Sequence, residues 1–566
     1  MFDMHNFVPR QSGLNRRAKP AHDAFGAAGR SNRGCLRTDA QNIAHRSLQW
    51  ESLVPATDNG RLAPQAAGIG LREAPGVRLG CGPRRSAVAA LTMGRGALAP
   101  WAKRRVHRAA GAWVVSIEWM RDLLKRTADV AARYLETLDE RGVAPTPEAL
   151  ARLAELNRPL HEDPQAPAAV LEMLDRIGSP ATMGMAGRRY FGFVIGGSLP
   201  AALAANWLAG AWDQNPGLFA ASPIGTVLEE VSLRWLLDVL QLPPESGGAF
   251  VTGTTLANFT ALAAARHAVL ERAGWDVEAD GLFGAPPVTV VVGCEAHPSL
   301  IKALGMLGLG RSRVIRVPVD SQGRMRAGEM PPLHEQAIVC LQAGNVNTGA
   351  FDPAAEVCAR ANAAGAWVHV DGAFGLWAAA SRRYAHLVEG ASGADSWATD
   401  AHKWLNVPYD SGLAFVRDSM ALKRAMSLTA AYLPQGEHRE PSQYTPELSR
   451  RARGVEIWAA LCSLGRTGLS DLIERNCRLA RRFAVELQRG GGEILNEVVL
   501  NQVLVSFGEA AQTRLVIERV QQDGTCWCGP TEWQGRTAMR ISVSSWATRD
   551  EDVDRSVQAI LRAASH

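Results

Sequence analysis

The sequence predicts an α/β protein in which a mainly parallel sheet is covered by helices on both faces. A helical segment precedes this sheet and a small α+β domain follows it. Three observations carry the prediction. From Phe250 onward, short apolar runs alternate with helix-length segments, the pattern of strands joined by helical crossovers. Residues 116–245 read mostly as helix and loop, and beyond about residue 450 a long helical pattern leads into two further strand-like runs. The expected units are 1–114, 116–245, 246–450 and 451–566, with no internal repeat.

Taken in order, Ile117, Met120, Leu124, Ala128, Ala131, Leu135 and Leu138 recur at three- and four-residue steps, the period of one helix face. Ser116 is the expected N-cap, and Gly142 and Pro145 end the segment. The stretch 160–245 is mostly helices and loops, including the long apolar run Leu199 to Ala211, and Leu256–Leu270 is a further helix. The strands expected in the sheet are Val288–Val292, Val314–Val317, Ile338–Leu341, Trp367–Val370 and Leu413–Val416. Those expected in the last domain lie near Gln502–Phe507 and Ala538–Val543.

The net charge of +5 is unevenly placed: residues 1–114 hold 18 Lys and Arg against 6 Asp and Glu, leaving the rest mildly acidic. This argues against nucleic acid as partner of the folded part. The basic stretch, with little periodicity, reads as a disordered arm, a targeting peptide or translated upstream sequence; no catalytic role is expected from it. No apolar run reaches the 18 residues a membrane span needs. Nine scattered cysteines do not form a disulfide framework, and a reducing cytoplasm is expected. Cys526 and Cys528 read as small strand or turn residues, and no metal site is expected.

Ligands of open parallel sheets bind beyond the carboxyl ends of the strands, and four positions there carry chemistry. Val251-Thr252-Gly253-Thr254-Thr255 runs straight into a helix, so free N–H groups and two hydroxyls form an anion cradle. His297 follows the strand Val288–Val292. Asp371 ends the buried-type strand Trp367–Val370, where a carboxylate needs a cation or strong donor. Lys403, one of only six lysines, sits among small and aromatic residues in Ala401-His402-Lys403-Trp404, a setting for a partly desolvated amine able to form a Schiff base. An amine, an acid, a flat ring and a phosphate cup are together what pyridoxal 5′-phosphate requires.

These segments resemble the group II pyridoxal-phosphate-dependent amino-acid decarboxylases, of the aspartate-aminotransferase fold (fold type I). The resemblance covers roughly residues 116–562. It is carried by Ala220-Ala221-Ser222-Pro223, Val251–Asn258, His297, His369-Val370-Asp371-Gly372-Ala373, His402-Lys403-Trp404 and Met539-Arg540-Ile541-Ser542. It implies a seven-stranded sheet, His297 stacked on the cofactor ring, Asp371 at the ring nitrogen, and Thr254, Thr255 and His402 at the phosphate. Lys403 then carries the cofactor, and Asn345 stands where the family has a threonine near the ring. Tyr432, in Ala430-Ala431-Tyr432-Leu433-Pro434, matches a mobile-loop tyrosine that reprotonates the carbanion left by CO2. Relatives with phenylalanine there make aldehydes instead. The family's loop reaches the other subunit, which implies a homodimer with active sites at the interface.

Three departures stand out. The family's Asn-Pro before His-Lys is Asp400-Ala401, its phosphate-segment glutamate is Leu256, and Phe191–Gly196 lacks the aromatic-proline pattern of the aromatic decarboxylases. The expected activity is decarboxylation of an L-amino acid to amine and CO2. Its rivals are aldehyde synthesis, transamination or carbon–carbon cleavage with the same cofactor, and a non-catalytic relative.

Overall fold

The computed structural model describes residues 117–428 and 438–565. Ser116, Tyr432 and the whole 1–114 stretch therefore lie outside the described residues. The central sheet has seven strands: β1 (Gly247–Val251), β2 (Thr289–Gly293), β3 (Ile315–Val317), β4 (Ala337–Gln342), β5 (Trp367–Asp371), β6 (Ser396–Asp400) and β7 (Gly412–Val416). Their order is β1-β7-β6-β5-β4-β2-β3. Pairing is parallel throughout except at β7, which is antiparallel to both neighbours. The 401–411 connection explains the exception, being too short for the crossover that parallel neighbours need.

Two strands escape a reading by apolar run. β1 opens on Gly247 and Gly248, where an added Cβ would come within 2.9 Å of Ser419 and 2.4 Å of the Leu233 side chain. Close packing there excludes the branched residues that usually mark a strand. β6 carries Ser396 and Thr399, both fully buried; the Ser396 hydroxyl serves Trp367 Nε1 and His369 Nδ1, each at 2.9 Å. Paired hydroxyls can be buried in a central strand without the apolar signature.

Helices cover both faces. One layer of core joins Leu236, Trp377, Trp397, Trp404 and Phe415; the other joins Val251, Val292, Ile338 and the alanine-rich helix Thr254–Arg272. The long helix Gly454–Arg489 gives Ile457 and Ala460 to the first layer. Past its break at Gly465 (φ +58°) it gives Leu479, Phe483 and Leu487 to a third cluster of core. That cluster packs against a four-stranded antiparallel sheet, in the order β10-β11-β9-β8. Its strands are β8 (Glu493–Ile494), β9 (Gln502–Ser506), β10 (Gly529–Trp533) and β11 (Arg536–Ser542). Cys526 and Cys528 are buried in its core as free thiols.

The first helix, Ile117–Thr137, forms as its periodicity predicts, yet none of its residues is buried. Ile117 is 81% exposed, and Met120, Leu124 and Leu135 are exposed beside it, since nothing else in the described chain covers that stripe. Among the described residues no helix is long and apolar enough to cross a membrane.

Candidate active site

β1, β2, β4, β5 and β6 all run in one direction, so the residues after their carboxyl ends converge on one edge of the sheet. Asp371 closes β5, level with Gln342 of β4 and Ala398 of β6. It is only 4% exposed. Its oxygens accept from Asn258 Nδ2 at 3.0 Å and from the Ala373 N–H at 3.3 Å. Both donors are neutral. Burial raises the Asp371 carboxyl above its ordinary value, against the pull of His297, the Asn258 amide and Lys403.

Asn258 is held in turn by a chain of hydrogen bonds across three elements. Burial pushes His369 down to about 3, so the ring is neutral. Its Nε2 lies 2.9 Å from Asn258 Oδ1 and its Nδ1 2.9 Å from Ser396 Oγ, which also receives Trp367 Nε1–H. Asn258 turns its amide N–H toward Asp371, so its carbonyl oxygen must accept from His369. That leaves Nδ1 to accept from Ser396, and every donor in the row has one acceptor.

His297 follows β2 and begins the helix Pro298–Met306, its Nδ1 accepting from the Ser299 N–H at 3.2 Å. When neutral, the ring therefore carries its proton on Nε2. Burial lowers its basicity; Asp371 acts the other way, and Lys403 and Arg540 reinforce the lowering.

Lys403 lies in the loop after β6, its Nζ 3.2 Å from Asp400 Oδ2. The other Asp400 oxygen accepts from the Thr254 N–H at 2.6 Å and lies 3.5 Å from His402 Nε2. His402 Nδ1 accepts from the Ser411 N–H at 3.0 Å, and its ring stacks on Tyr409 with centroids 4.3 Å apart. Thr254 begins the helix Thr254–Arg272 and Thr255 follows, half-buried, in the first turn. Among the described residues, the buried hydroxyls of Thr254 and Ser411 have no hydrogen-bond partner.

Asn345 falls in the loop after β4, with its amide engaged locally. Nδ2 donates to Gln342 Oε1 at 3.2 Å, and Oδ1 accepts from the Asn347 and Thr348 N–H groups at 2.9 and 3.3 Å. The structure thus gives this side chain the work of shaping its loop.

Four more residues join the site without having been singled out individually. Asn258 was legible as a lone amide in an alanine-rich helix, one turn after Thr254 and so on the same face. Arg540, on β11, is a cation in an otherwise apolar alternation; its Nη1 donates to Val346 O at 3.4 Å and burial depresses its basicity. Ser411 and Tyr409 carried no local signal, because both lie in the irregular turn between β6 and β7.

The residues present fit pyridoxal phosphate. Asp371 is a buried carboxylate with only neutral donors, the lysine amine is at hand, and the hydroxyls of Thr254 and Ser411 are unpartnered beside the helix start. Comparisons with known proteins agree. The pyridoxal-dependent decarboxylase conserved domain matches residues 148–508. An aromatic-L-amino-acid decarboxylase of Drosophila lebanonensis is 30% identical over 405 residues, covering 66% of this chain and 97% of that protein. An acidic amino acid decarboxylase of Bos taurus is 29% identical over 318 residues, covering 54% and 60% respectively. The crystal structure of Oryza sativa TDC with PLP and tryptamine shares the fold with a TM-score of 0.74 at 22% identity, covering 80% of this chain and 99% of that one. The chain belongs to the pyridoxal-dependent decarboxylase family, as a carboxy-lyase that uses pyridoxal 5′-phosphate to decarboxylate an amino acid.

Proposed function

We propose that this site releases CO2 from an L-amino acid to give the amine, with Lys403, Asp371, His297 and Tyr432 as its working residues. The observation that supports this most is the convergence of Lys403, Asp371 and His297 from three different strand ends, where the Lys403 charge acts on both the His297 ring and the Asp371 carboxyl. Pyridoxal phosphate, when bound, supplies an aldehyde for the amine and an electron sink for the bond that breaks.

The chain's residues then divide the labour. Lys403 offers its amine and later takes part in product release. Asp371, oriented by Asn258, keeps a proton on the ring nitrogen, and His297 presents a flat face. Thr254, Thr255, Ser411 and His402 receive the phosphate. Arg540 is placed to meet the substrate's carboxylate, being a half-buried cation whose charge acts on the His297 ring. Tyr432 returns a proton to the α-carbon. Asn345 acts indirectly by setting its loop.

Residues 246–450 form the cofactor domain and 451–566 the small domain in this reading, with 116–245 as the helical segment and 1–114 as an extension. The working unit is a homodimer: the uncovered apolar stripe of Ile117–Thr137 needs a partner surface, and a second copy supplies one. A reducing compartment, the cytoplasm, suits the seven free cysteines among the described residues.

The deciding experiment supplies the purified protein with pyridoxal phosphate and common L-amino acids, and quantifies CO2 and amine. Equal amounts from one amino acid establish the reaction and its substrate; CO2 with aldehyde and peroxide would replace the proposed outcome. Lys403→Ala should abolish turnover and the visible absorbance of lysine-bound cofactor.

A further inference from the structure

The helix start that should receive the cofactor's phosphate already holds an anion of the protein's own. Asp400 is 2% exposed. One carboxylate oxygen takes the Thr254 N–H at 2.6 Å and faces His402 Nε2 at 3.5 Å; the other lies 3.2 Å from the Lys403 amine. A single side chain therefore engages the helix's leading N–H, an imidazole and the cofactor's lysine together. Its backbone gives it little room to withdraw: the Asp400 N–H donates to Ala373 O at 2.9 Å, and its carbonyl accepts from Trp377 Nε1 at 3.0 Å. Gly253 closes the other side, where an added Cβ would meet His402 at 3.1 Å and Asp400 at 3.4 Å.

We propose that Asp400 is a resident counter-anion that competes with the cofactor's phosphate for the start of helix Thr254–Arg272, so that the cofactor is held weakly and exchanges. The inference rests on the pyridoxal phosphate reading. In the cofactor-free protein the carboxylate caps the helix and pairs with Lys403. When the lysine turns to the cofactor's aldehyde, the carboxylate loses that partner and a second anion enters the same cradle. Like charges a few ångströms apart in a partly desolvated site repel strongly enough to cost about tenfold or more in affinity. Asp400 is thus a positioning residue that sets cofactor retention.

The test uses Asp400→Asn, which keeps the shape and the acceptor for Thr254 N–H while removing the charge. Cofactor-free wild-type and variant proteins are titrated with pyridoxal phosphate and, separately, with pyridoxal, which lacks the phosphate. The variant should bind pyridoxal phosphate at least about tenfold more tightly, with much less change for pyridoxal, and release it more slowly. Inorganic phosphate should compete better in the variant. Asp400→Ser, also uncharged, should move affinity the same way, which guards against a folding defect in one variant. Unchanged or weaker binding of pyridoxal phosphate would overturn the proposal. Equal tightening for both ligands would also overturn it, since the effect would then belong to Lys403 and not to the phosphate. If neither protein bound pyridoxal phosphate, the cofactor reading and this inference would fall together.

Discussion

Asn258 Nδ2 donates to Asp371 Oδ2 at 3.0 Å, joining the first turns of one helix to the carboxyl end of β5. The amide cannot rotate freely, because its oxygen is matched to His369 Nε2 at 2.9 Å. One neutral side chain thus fixes the direction of the acid proposed for the ring nitrogen. Asn258→Ala should cost about 1–3 kcal/mol of stability by leaving two buried atoms, Asp371 Oδ2 and His369 Nε2, without partners. Turnover should fall about tenfold through a misdirected Asp371, equivalent to about 1.4 kcal/mol. Thermal unfolding with steady-state kinetics checks this; an unchanged kcat would detach Asn258 from the chemistry.

His369 gives a pH signature. Its folded value, about 3, is depressed below the ordinary 6.5 by burial. Below pH 6.5 the unfolded chain takes up a proton that the folded chain refuses, so this residue's contribution is full above 6.5 and is lost as pH falls toward 3. His369→Gln keeps an N–H for Asn258 and does not titrate. Its stability deficit relative to wild type should narrow as pH falls through that window, by up to about 1.4 kcal/mol per unit. Denaturant unfolding between pH 4.5 and 7 reads the difference, and a constant gap would contradict the assignment.

Arg540→Gln should raise KM for the amino acid roughly 10- to 100-fold, the worth of a charged hydrogen bond. Arg540→Lys should recover only part of the loss, because an ammonium lacks the planar fork. A change confined to protein stability, with KM intact, would assign the arginine to docking β11 against the loop at Val346.

Tyr432 is tested by its products. Tyr432→Phe should lower amine yield and, with dissolved O2 as oxidant, give aldehyde, CO2 and ammonia with hydrogen peroxide, measured by chromatography and a peroxidase-coupled assay. Amine and CO2 in wild-type proportion would take the proton-donor role away from Tyr432.

Size-exclusion chromatography with light scattering tests the homodimer. Leu124→Glu, on the exposed stripe of Ile117–Thr137, should shift the protein toward monomer with loss of activity. A wild-type monomer with full activity would refute the assembly.

Much of the site was legible because its chemistry sits beside regular elements. Asp371 and His297 follow apolar strands, and Lys403 is a rare lysine away from other charged clusters. β1 and β6 were not, since packed glycines and paired hydroxyls hide their burial. Nor did the helical period of Ile117–Thr137 tell what would cover its apolar face.

By itself the sequence determined where the helices and most strands lie and which residues stand at strand ends, because period, burial and chain breaks are local properties. Tertiary structure alone decided that Asp400 meets the Thr254 N–H, that Asn258 donates to Asp371, and that Arg540 reaches the loop at Val346. Those meetings depend on sheet order and on how the segment after residue 450 folds back, and residues distant along the chain carry no local trace of the partner they will meet.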